Sequence, residues 1–206
     1  MKATEAQIEQ AGSLMADRFA ADPGIKAQTE GLKRGADIVK LQCCGQVRAF
    51  ASAGFLTLLD GGPSFLIGYR SDALPPESLV EVLQDASREL LGALSADEVM
   101  KLQEKVAPVA AISDEFWYAR HFPNRVVYVL QVVAVASELK GTGAFRRLVS
   151  PVIAECDASG IPIVLQTHNP DNVPLYEHFG FKLVEKVDSQ ELELSCYNMA
   201  RMPAEG

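Results

Sequence analysis

The chain has 206 residues, of which 48% are hydrophobic and 22% charged, a composition typical of one globular domain with a substantial core and not of a disordered chain. Its 27 acidic and 19 basic residues give a formal charge of −8, which provides no cationic footprint for nucleic-acid phosphates. Apolar runs are too short to span a membrane, and the polar start does not resemble a secretion signal. We therefore expect a cytoplasmic protein that binds neither nucleic acid nor membranes.

The amino-terminal third is predicted to form two helices and a β-hairpin. Apolar spacing predicts helices over residues 6–20 and 32–50, and Asp22-Pro23-Gly24 is predicted to end the first of them. Two short apolar runs, 55–59 and 65–69, flank a glycine-rich turn, which is the pattern of a hairpin.

The middle of the chain is predicted to be helical and then to enter a buried strand. Residues 75–110 show helical spacing, with Ser95 as the N-cap of the second of two helices. Residues 126–136 form a nearly continuous apolar run, which predicts a central strand buried on both faces. An amphipathic helix is predicted from about Gly143, and Pro151 should kink it.

The carboxyl-terminal third is predicted to contain three strands and a short helix. Residues 161–167 and 181–187 are predicted strands, with a helix over 172–178 between them. The last strand is predicted from alternating apolar residues, namely Leu192, Leu194 and Cys196. This order predicts one mixed α/β domain over residues 1–206, in which the two buried strands pair in parallel.

The passage from the central strand to the next helix carries the most chemical information. It contains Lys140-Gly141-Thr142-Gly143 directly before the helix, and glycines there let free backbone N–H groups converge on an anion. A dinucleotide fingerprint would need a third glycine where Arg146 stands, and a Walker A loop would need Gly-Lys-Ser/Thr, which does not occur. The loop therefore favours another phosphate or pyrophosphate ligand.

Two motifs in this region resemble those of GNAT-type N-acetyltransferases. Lys140-x-x-Gly143-x-Phe145 is similar to the Q/R-x-x-G-x-G/A loop that binds acyl-CoA in that family. The segment from Asn172 through Tyr176 to Gly180-Phe181 is similar to the N-x-x-x-Y-x-x-x-G-F segment of the family. Residues 197–201 and the paired helices at 75–110 resemble, more weakly, the branch that contains puromycin-type acetyltransferases.

The resemblance implies a GNAT-like fold: a mixed, mostly antiparallel central sheet with one splayed pair of parallel strands, flanked by helices. It implies transfer of an acetyl group from acetyl-CoA to a primary amine, without a metal. We expect the acceptor to be a small molecule, with the helices of 75–110 covering the acceptor side. The chain is expected to be a monomer or a homodimer.

The resemblance also implies roles for individual residues. Tyr176 would protonate the departing thiolate, and Asn172 would contact the cofactor arm. Backbone groups of Val133 and Val135 would pair with the pantetheine arm, and a backbone N–H beside a strand bulge near Val133 would polarise the acetyl oxygen. The pyrophosphate would be held by the amides of the loop, which are those of Lys140, Gly141, Thr142, Gly143, Ala144 and Phe145.

Phe145 stands where the family has Gly or Ala, and two outcomes are open. Its position on the apolar stripe of the helix allows the ring to turn into the core and leave the amide free. Otherwise the ring would obstruct the pyrophosphate, and the chain would be an acyl-CoA-fold protein without turnover. A non-catalytic acyl-CoA sensor and a protein lysine or N-terminal acetyltransferase are therefore the alternatives.

The general base that deprotonates the amine is not identified by the sequence. The candidates are polar side chains near the predicted site, or a water relay; the side chains are Asp114, Glu115, Tyr118, His121, Gln131, Glu138 and His168. The four cysteines have no metal-ligand spacing and are predicted to be reduced, buried apolar residues.

Overall fold

The computed structural model describes residues 3–204, which form eight α-helices and one six-stranded sheet. The helices are α1 (Glu5–Phe19), α2 (Pro23–Thr29), α3 (Gly35–Ser52), α4 (Pro76–Ala93), α5 (Ala96–Ala110), α6 (Tyr118–His121), α7 (Ala144–Ser159) and α8 (Asn172–His178). The strands are β1 (Leu56–Leu58), β2 (Phe65–Arg70), β3 (Tyr128–Ala134), β4 (Ile163–Thr167), β5 (Lys182–Asp188) and β6 (Ser195–Arg201). Within residues 3–204, no helix combines the length and apolar character needed to cross a membrane.

The sheet has the order β1-β2-β3-β4-β6-β5, and all neighbouring strands are antiparallel except β3 and β4. These two strands can pair in parallel because α7 lies between them in the sequence and forms the crossover that parallel strands need. The predicted fold class, a mostly antiparallel mixed sheet with one parallel pair and flanking helices, is confirmed.

The parallel strands are hydrogen-bonded only at their amino-terminal ends. The last pair in their register is Val129 with Val164. β3 nevertheless continues to Ala134 beside β2, and β4 continues to Thr167 beside β6. The two strands therefore separate toward their carboxyl ends, and the backbone edges that face the gap are open to a ligand.

A β-bulge at Gln131 interrupts β3. Consecutive residues of β2 pair with Leu130 and Val132, so Gln131 is an extra residue in the strand. An extra residue reverses the alternation of side chains between the two faces of a sheet. Before the bulge, the odd-numbered Val129 packs in the core beneath α1 and α3. After the bulge, the even-numbered Val132 and Ala134 pack in the same core.

Helices α1, α3 and α4 cover one face of the sheet and approach one another closely. A Cβ atom on Gly45 would lie 2.1 Å from the backbone oxygen of Ala86, and one on Gly12 would lie 2.8 Å from the Cα of Cys44. Glycine lowers the helix propensity of α3, but at these positions a larger residue would push the helices apart. Gly45 is therefore a packing residue.

Helices α7 and α8 cover the opposite face of the sheet. Leu148 and Val149 of α7 pack on Leu66, Leu130 and other buried residues of the sheet. α7 continues through Pro151 to Ser159, so proline removes one internal hydrogen bond without ending the helix. A kink at this proline stays a prediction.

The first helix ends before Asp22-Pro23-Gly24, as predicted, but the same residues also begin α2, a helix that the sequence analysis does not predict. The Asp22 carboxylate accepts hydrogen bonds from the backbone N–H groups of Gly24 and Ile25, at 2.9 and 3.4 Å. Proline is tolerated at a first helical position, where its missing N–H costs nothing. The pattern Asp-Pro-Gly is therefore compatible both with the end of one helix and with the beginning of the next.

The last strand begins later than its alternation predicts. Leu192 and Leu194 precede β6, which starts at Ser195. The Ser189 side chain accepts hydrogen bonds from the backbone N–H groups of Glu191 and Leu192, and this turn takes the place of strand pairing there.

The Ser95 N-cap of α5 is confirmed by a reciprocal capping box with Glu98.

Candidate active site

A cleft of about 810 Å³ opens where β3 and β4 separate. One side is formed by β3, the following loop and the start of α7, and the other by the end of β4 with α8. Helices α1 to α4 close the remaining walls. The cleft therefore joins the predicted loop, the predicted tyrosine and the helical half of the molecule in one space.

Most of the residues that the sequence assigns to the site line this cleft. They are Val133, Val135, Lys140, Gly141, Gly143, Ala144, Phe145, Asn172 and Tyr176. Thr142 is the exception, because its hydroxyl and its backbone N–H both donate to the carbonyl of Leu139, at 2.8 and 3.2 Å. Thr142 shapes the loop and does not reach the cleft wall.

The loop presents the uncapped amino terminus of α7 to the cleft. Gly141 and Gly143 both have φ of +79°, a left-handed conformation that glycine adopts without strain. No side chain among residues 3–204 caps the helix at Gly143, so its first N–H groups are available to an anion. Lys140 and Thr142 already donate their backbone N–H groups within the loop, which leaves the amides of Gly141, Gly143, Ala144 and Phe145 as the anion-binding set.

The side chain of Phe145 takes part in an aromatic cluster between α7 and α8. Its ring centroid lies 5.1 Å from that of Phe179 and 6.1 Å from that of Tyr176, among the residues that pack on the α7 side of the core. The ring packs against Tyr176 and Phe179. The backbone N–H of Phe145 lies in the first turn of α7. Of the two outcomes open from the sequence, this geometry agrees with the first.

Tyr176 and Asn172 lie on the α8 side of the cleft. The Tyr176 ring packs edge-on against Phe181, at 5.7 Å between centroids, and burial raises the pKa of the phenol to about 12, with the Asp22 carboxylate adding to the effect. A phenol with this pKa keeps its proton near neutral pH, as a proton donor requires. The Asn172 side-chain amide donates to the Thr167 hydroxyl at 3.2 Å, which ties α8 to the end of β4.

The bulge in β3 lies two residues before the position predicted from the sequence. The extra residue is Gln131, whereas the expected position was near Val133. Beyond the bulge, β3 keeps its pairing with β2 on one side only, so the other edge near Val133 faces the gap. An extended ligand chain could pair with this edge as an added strand.

Side chains of both charges line the cleft. The cations Arg18, Lys140 and Arg146 stand around the loop, where Arg18 donates to the Ser137 hydroxyl at 3.3 Å. The carboxylates Asp22, before α2, and Glu115, before α6, also line the cleft. Arg147 does not line the cleft and forms an ion pair with Asp60 at 2.6 Å.

His168 follows β4 and is held in place by neighbouring elements. The Ser113 hydroxyl donates to the Val109 carbonyl at 2.8 Å, so its oxygen accepts from Nε2–H of His168 at 2.9 Å. The other ring nitrogen, Nδ1, would lie 2.7 Å from a Cβ on Gly24 and is therefore covered by α2. Burial lowers the pKa of this imidazole, which keeps it neutral.

Several residues of the cleft carry no signal in the sequence. Three glutamines from two helices line it, Gln28 of α2 and Gln42 and Gln46 of α3. Leu83, Ala86 and Ser87 of α4 also contribute, whereas no lining residue comes from α5. A helical pattern shows which residues are polar, but it does not show which polar residues face a cleft.

No family model matches the chain. Over 80 residues, 37% of the chain, it is 37% identical to an uncharacterized N-acetyltransferase of Schizosaccharomyces pombe, and the match covers 32% of that protein. The matched segment thus spans about a third of the length of this curated relative.

Solved structures share the fold over nearly the whole chain. A Corynebacterium glutamicum protein described as histone acetyltransferase HPA2 and related acetyltransferase has a TM-score of 0.59 and 17% identity, over 100% of this chain and 96% of its own. Arylalkylamine N-acetyltransferase 2 of Aedes aegypti has a TM-score of 0.57 and 11% identity, over 99% and 98% of the two chains. At these identities the likeness concerns the fold.

The splayed strands, the loop before α7 and these relatives define a GNAT fold. The resemblance of the chain to the GNAT-type N-acetyltransferase superfamily is thereby confirmed. Membership of the puromycin-type branch stays a prediction.

Proposed function

We propose that the chain is an N-acetyltransferase that transfers an acetyl group from acetyl-CoA to the primary amine of a small molecule. The observation that carries the proposal is the position of the uncapped α7 terminus at the gap between β3 and β4, inside one cleft with Tyr176. In this arrangement the α7 terminus would bind the pyrophosphate of acetyl-CoA, the gap between the strands would hold the extended pantetheine arm, and the thioester would lie near Tyr176.

The donor half of the cleft fits acyl-CoA in charge and in shape. The amides from Gly143 to Phe145 would hold the pyrophosphate, assisted by the helix dipole and by Lys140. The open edge of β3 at Val133 and Val135 would pair with the amide groups of the pantetheine arm, and Asn172 would bind it from the α8 side. Arg146 lines the same end and stacks on Phe179 at 5.2 Å, within reach of a further phosphate.

In the proposed reaction the chain supplies a proton donor for the sulfur and a backbone N–H group for the carbonyl oxygen. A backbone N–H of β3 beside the bulge would donate to the carbonyl oxygen as negative charge develops on it. The amine nitrogen bonds to the carbonyl carbon and the carbon–sulfur bond breaks. Tyr176 would give its proton to the sulfur, and the phenolate would take the second proton of the amine nitrogen. The first amine proton needs a base.

The other half of the cleft supports a small, cationic acceptor. Helices α2, α3 and α4 all line it, so an acceptor must fit between them, which disfavours an exposed protein lysine. Asp22 and Glu115 are its lining carboxylates, and they favour an ammonium group over an anion. Acetylation removes this charge, so the product would bind more weakly than the substrate.

Calorimetric titration tests the donor site. We expect micromolar binding of acetyl-CoA and CoA and no binding of NADH, because the loop lacks the dinucleotide fingerprint. Release of free thiol with a panel of primary amines then tests turnover. Absence of acetyl-CoA binding would contradict the proposal, and binding without any amine-dependent thiol release would favour an acyl-CoA sensor.

A further inference from the structure

Glu115 occupies the fork between the separating strands. It follows α5, lines the main cleft and also lines a second cavity of about 60 Å³ between β3 and β4. Leu130 and Gln131 of β3 and Gln166 of β4 line the same small cavity. The carboxyl group is therefore where an acceptor entering from the helical half meets the gap that would hold the thioester.

The backbone on both sides of Glu115 is fixed. The Asp114 carboxylate accepts the backbone N–H of Phe116 at 2.8 Å and forms an ion pair with Arg120. The Gln166 amide of β4 donates to the Asp114 carbonyl at 3.0 Å and to Asn198 at 2.8 Å. These contacts anchor the segment to the sheet, so the Glu115 side chain is presented to the cleft from a defined position.

Glu115 has no cationic partner among residues 3–204, unlike Asp114 beside it. Glu115 is exposed and lines the cleft, yet the protein atoms around its carboxyl group raise its pKa by desolvation, while the hydrogen bond with the Gln131 side chain lowers it. The titratable groups that interact with it are neutral or acidic: Tyr69 of β2, Tyr118 of α6, Cys196 of β6 and Asp114. A carboxylate in such surroundings binds a proton more readily than a solvated one.

The other candidate bases are engaged elsewhere. His168 also lines the cleft, but its Nε2 donates to the Ser113 hydroxyl and its Nδ1 lies against Gly24 of α2. Asp22 accepts the first N–H groups of α2 as a helix cap. Among the candidates from the sequence, His121 and Asp114 are paired with Glu185 and Arg120 and do not line the cleft.

We infer that Glu115 is the general base of the proposed acetyl transfer, and this inference rests on the proposed function. Its carboxylate accepts one proton from the acceptor ammonium, which becomes the neutral amine that attacks the acetyl carbon. The carboxylic acid releases this proton to solvent through the cleft after the amide product leaves. No oxidation or reduction occurs, and the net release is one proton for each amine acetylated.

A pair of probes with the same shape separates proton removal from binding. Benzylamine is protonated at pH 7, whereas phenylhydrazine, in which NH replaces the methylene group, is neutral. We expect Glu115→Gln to lower kcat for benzylamine by about 100-fold or more, the usual contribution of general base catalysis, and to leave phenylhydrazine turnover nearly unchanged. Glu104→Gln, the same substitution at an exposed position of α5, is the control.

The pH profile and cofactor binding complete the test. With benzylamine, the wild-type rate should fall as acid protonates Glu115, at a pH above the ordinary glutamate range because its pKa is raised. Glu115→Asp should keep this acid limb and Glu115→Gln should lose it, with acetyl-CoA affinity unchanged in both variants. Equal losses for the two probes, or an increase in KM for benzylamine with kcat retained, would overturn the inference. Failure of the wild-type protein to acetylate benzylamine would count against the proposed function instead.

Discussion

Tyr176 illustrates how the same side chain serves packing and chemistry. Its ring contacts Phe145 and Phe181, so removing the whole side chain would disturb the core between α7 and α8. The hydroxyl alone provides the proton donor. A substitution that keeps the ring therefore separates the two contributions.

We expect Tyr176→Phe to lower kcat by about 100-fold, because the departing thiolate loses its acid, while the dissociation constant of acetyl-CoA stays unchanged. Stopped assays of thiol release and calorimetry measure the two quantities. Tyr197→Phe on β6 removes a hydroxyl outside the cleft and should be silent in both. An unchanged kcat in Tyr176→Phe would remove the residue from the mechanism.

Phe145 shows a motif departure that neighbouring residues accommodate. The motif alone predicts that a large ring in place of Gly or Ala obstructs the pyrophosphate site. The sequence left two outcomes open, because ring orientation depends on what α8 offers. Phe179 and Tyr176 provide an aromatic surface there, at 5.1 and 6.1 Å between ring centroids. The ring packs against α8, and the backbone N–H stays in the helix terminus.

At the scale of elements, the loop before α7 depends on two left-handed glycines. In the described part of the chain, nothing lies within 4 Å of a Cβ atom built on Gly143, so steric contact does not explain why this residue is glycine. Its φ of +79° does, because an L side chain is strained there. The conformation directs the first amides of α7 toward the cleft.

Gly143→Ala should destabilise the fold by about 1 kcal/mol and weaken acetyl-CoA binding, because the alanine shifts the loop out of its left-handed turn. Gly92→Ala is the matched control, since Gly92 lies in α4 with open space around its Cβ position. It should leave binding unchanged and stabilise the helix by up to about 1 kcal/mol. Thermal unfolding and calorimetry read out both variants. Unchanged acetyl-CoA affinity in Gly143→Ala would contradict the role of the loop.

At the scale of the whole molecule, a half-buried ion pair joins α7 to the sheet. Arg201 of β6 donates from both terminal guanidinium nitrogens to the Asp157 carboxylate of α7, at 2.5 and 2.9 Å, and Asp157 also accepts the Ala204 N–H. The two side chains are only 14% and 24% exposed, so water screens this pair less than the surface pairs. The hydrogen bonds from Arg201 hold the pKa of Asp157 below its usual range.

This lowered pKa predicts how stability depends on pH. A carboxyl group with a depressed folded-state pKa stabilises the fold above its unfolded pKa, and the contribution disappears as the pH falls through the folded value. Asp157→Asn should therefore cost about 1 kcal/mol or more at pH 7 and less at pH 3. Asp85→Asn disrupts the exposed pair with Arg88 and should change stability by less than about 0.5 kcal/mol. Urea unfolding at both pH values measures this, and equal losses at the two would contradict it.

The sequence by itself determined the donor loop and most of the elements, but not the short helices α2 and α6. Period-3.6 and alternating patterns are local, so residues within one segment suffice to predict the helices, the hairpin and the buried strands. The loop from Lys140 to Phe145 and the segment from Asn172 to Tyr176 are contiguous motifs, and both lie at the cleft, with Thr142 turned into its own loop. The parallel pair followed because a single helix separates two buried strands.

Only the tertiary structure decided the acceptor side. Glu115, Gln131, Gln28 and Gln46 come from a loop, a strand and two helices that are distant in sequence, and packing alone brings them together. The bulge at Gln131 depends on the register with β2, which no local pattern contains. A pattern records how each segment divides into apolar and polar sides. Which polar side chains share a cleft is determined by contacts between segments, and those form only when the chain folds.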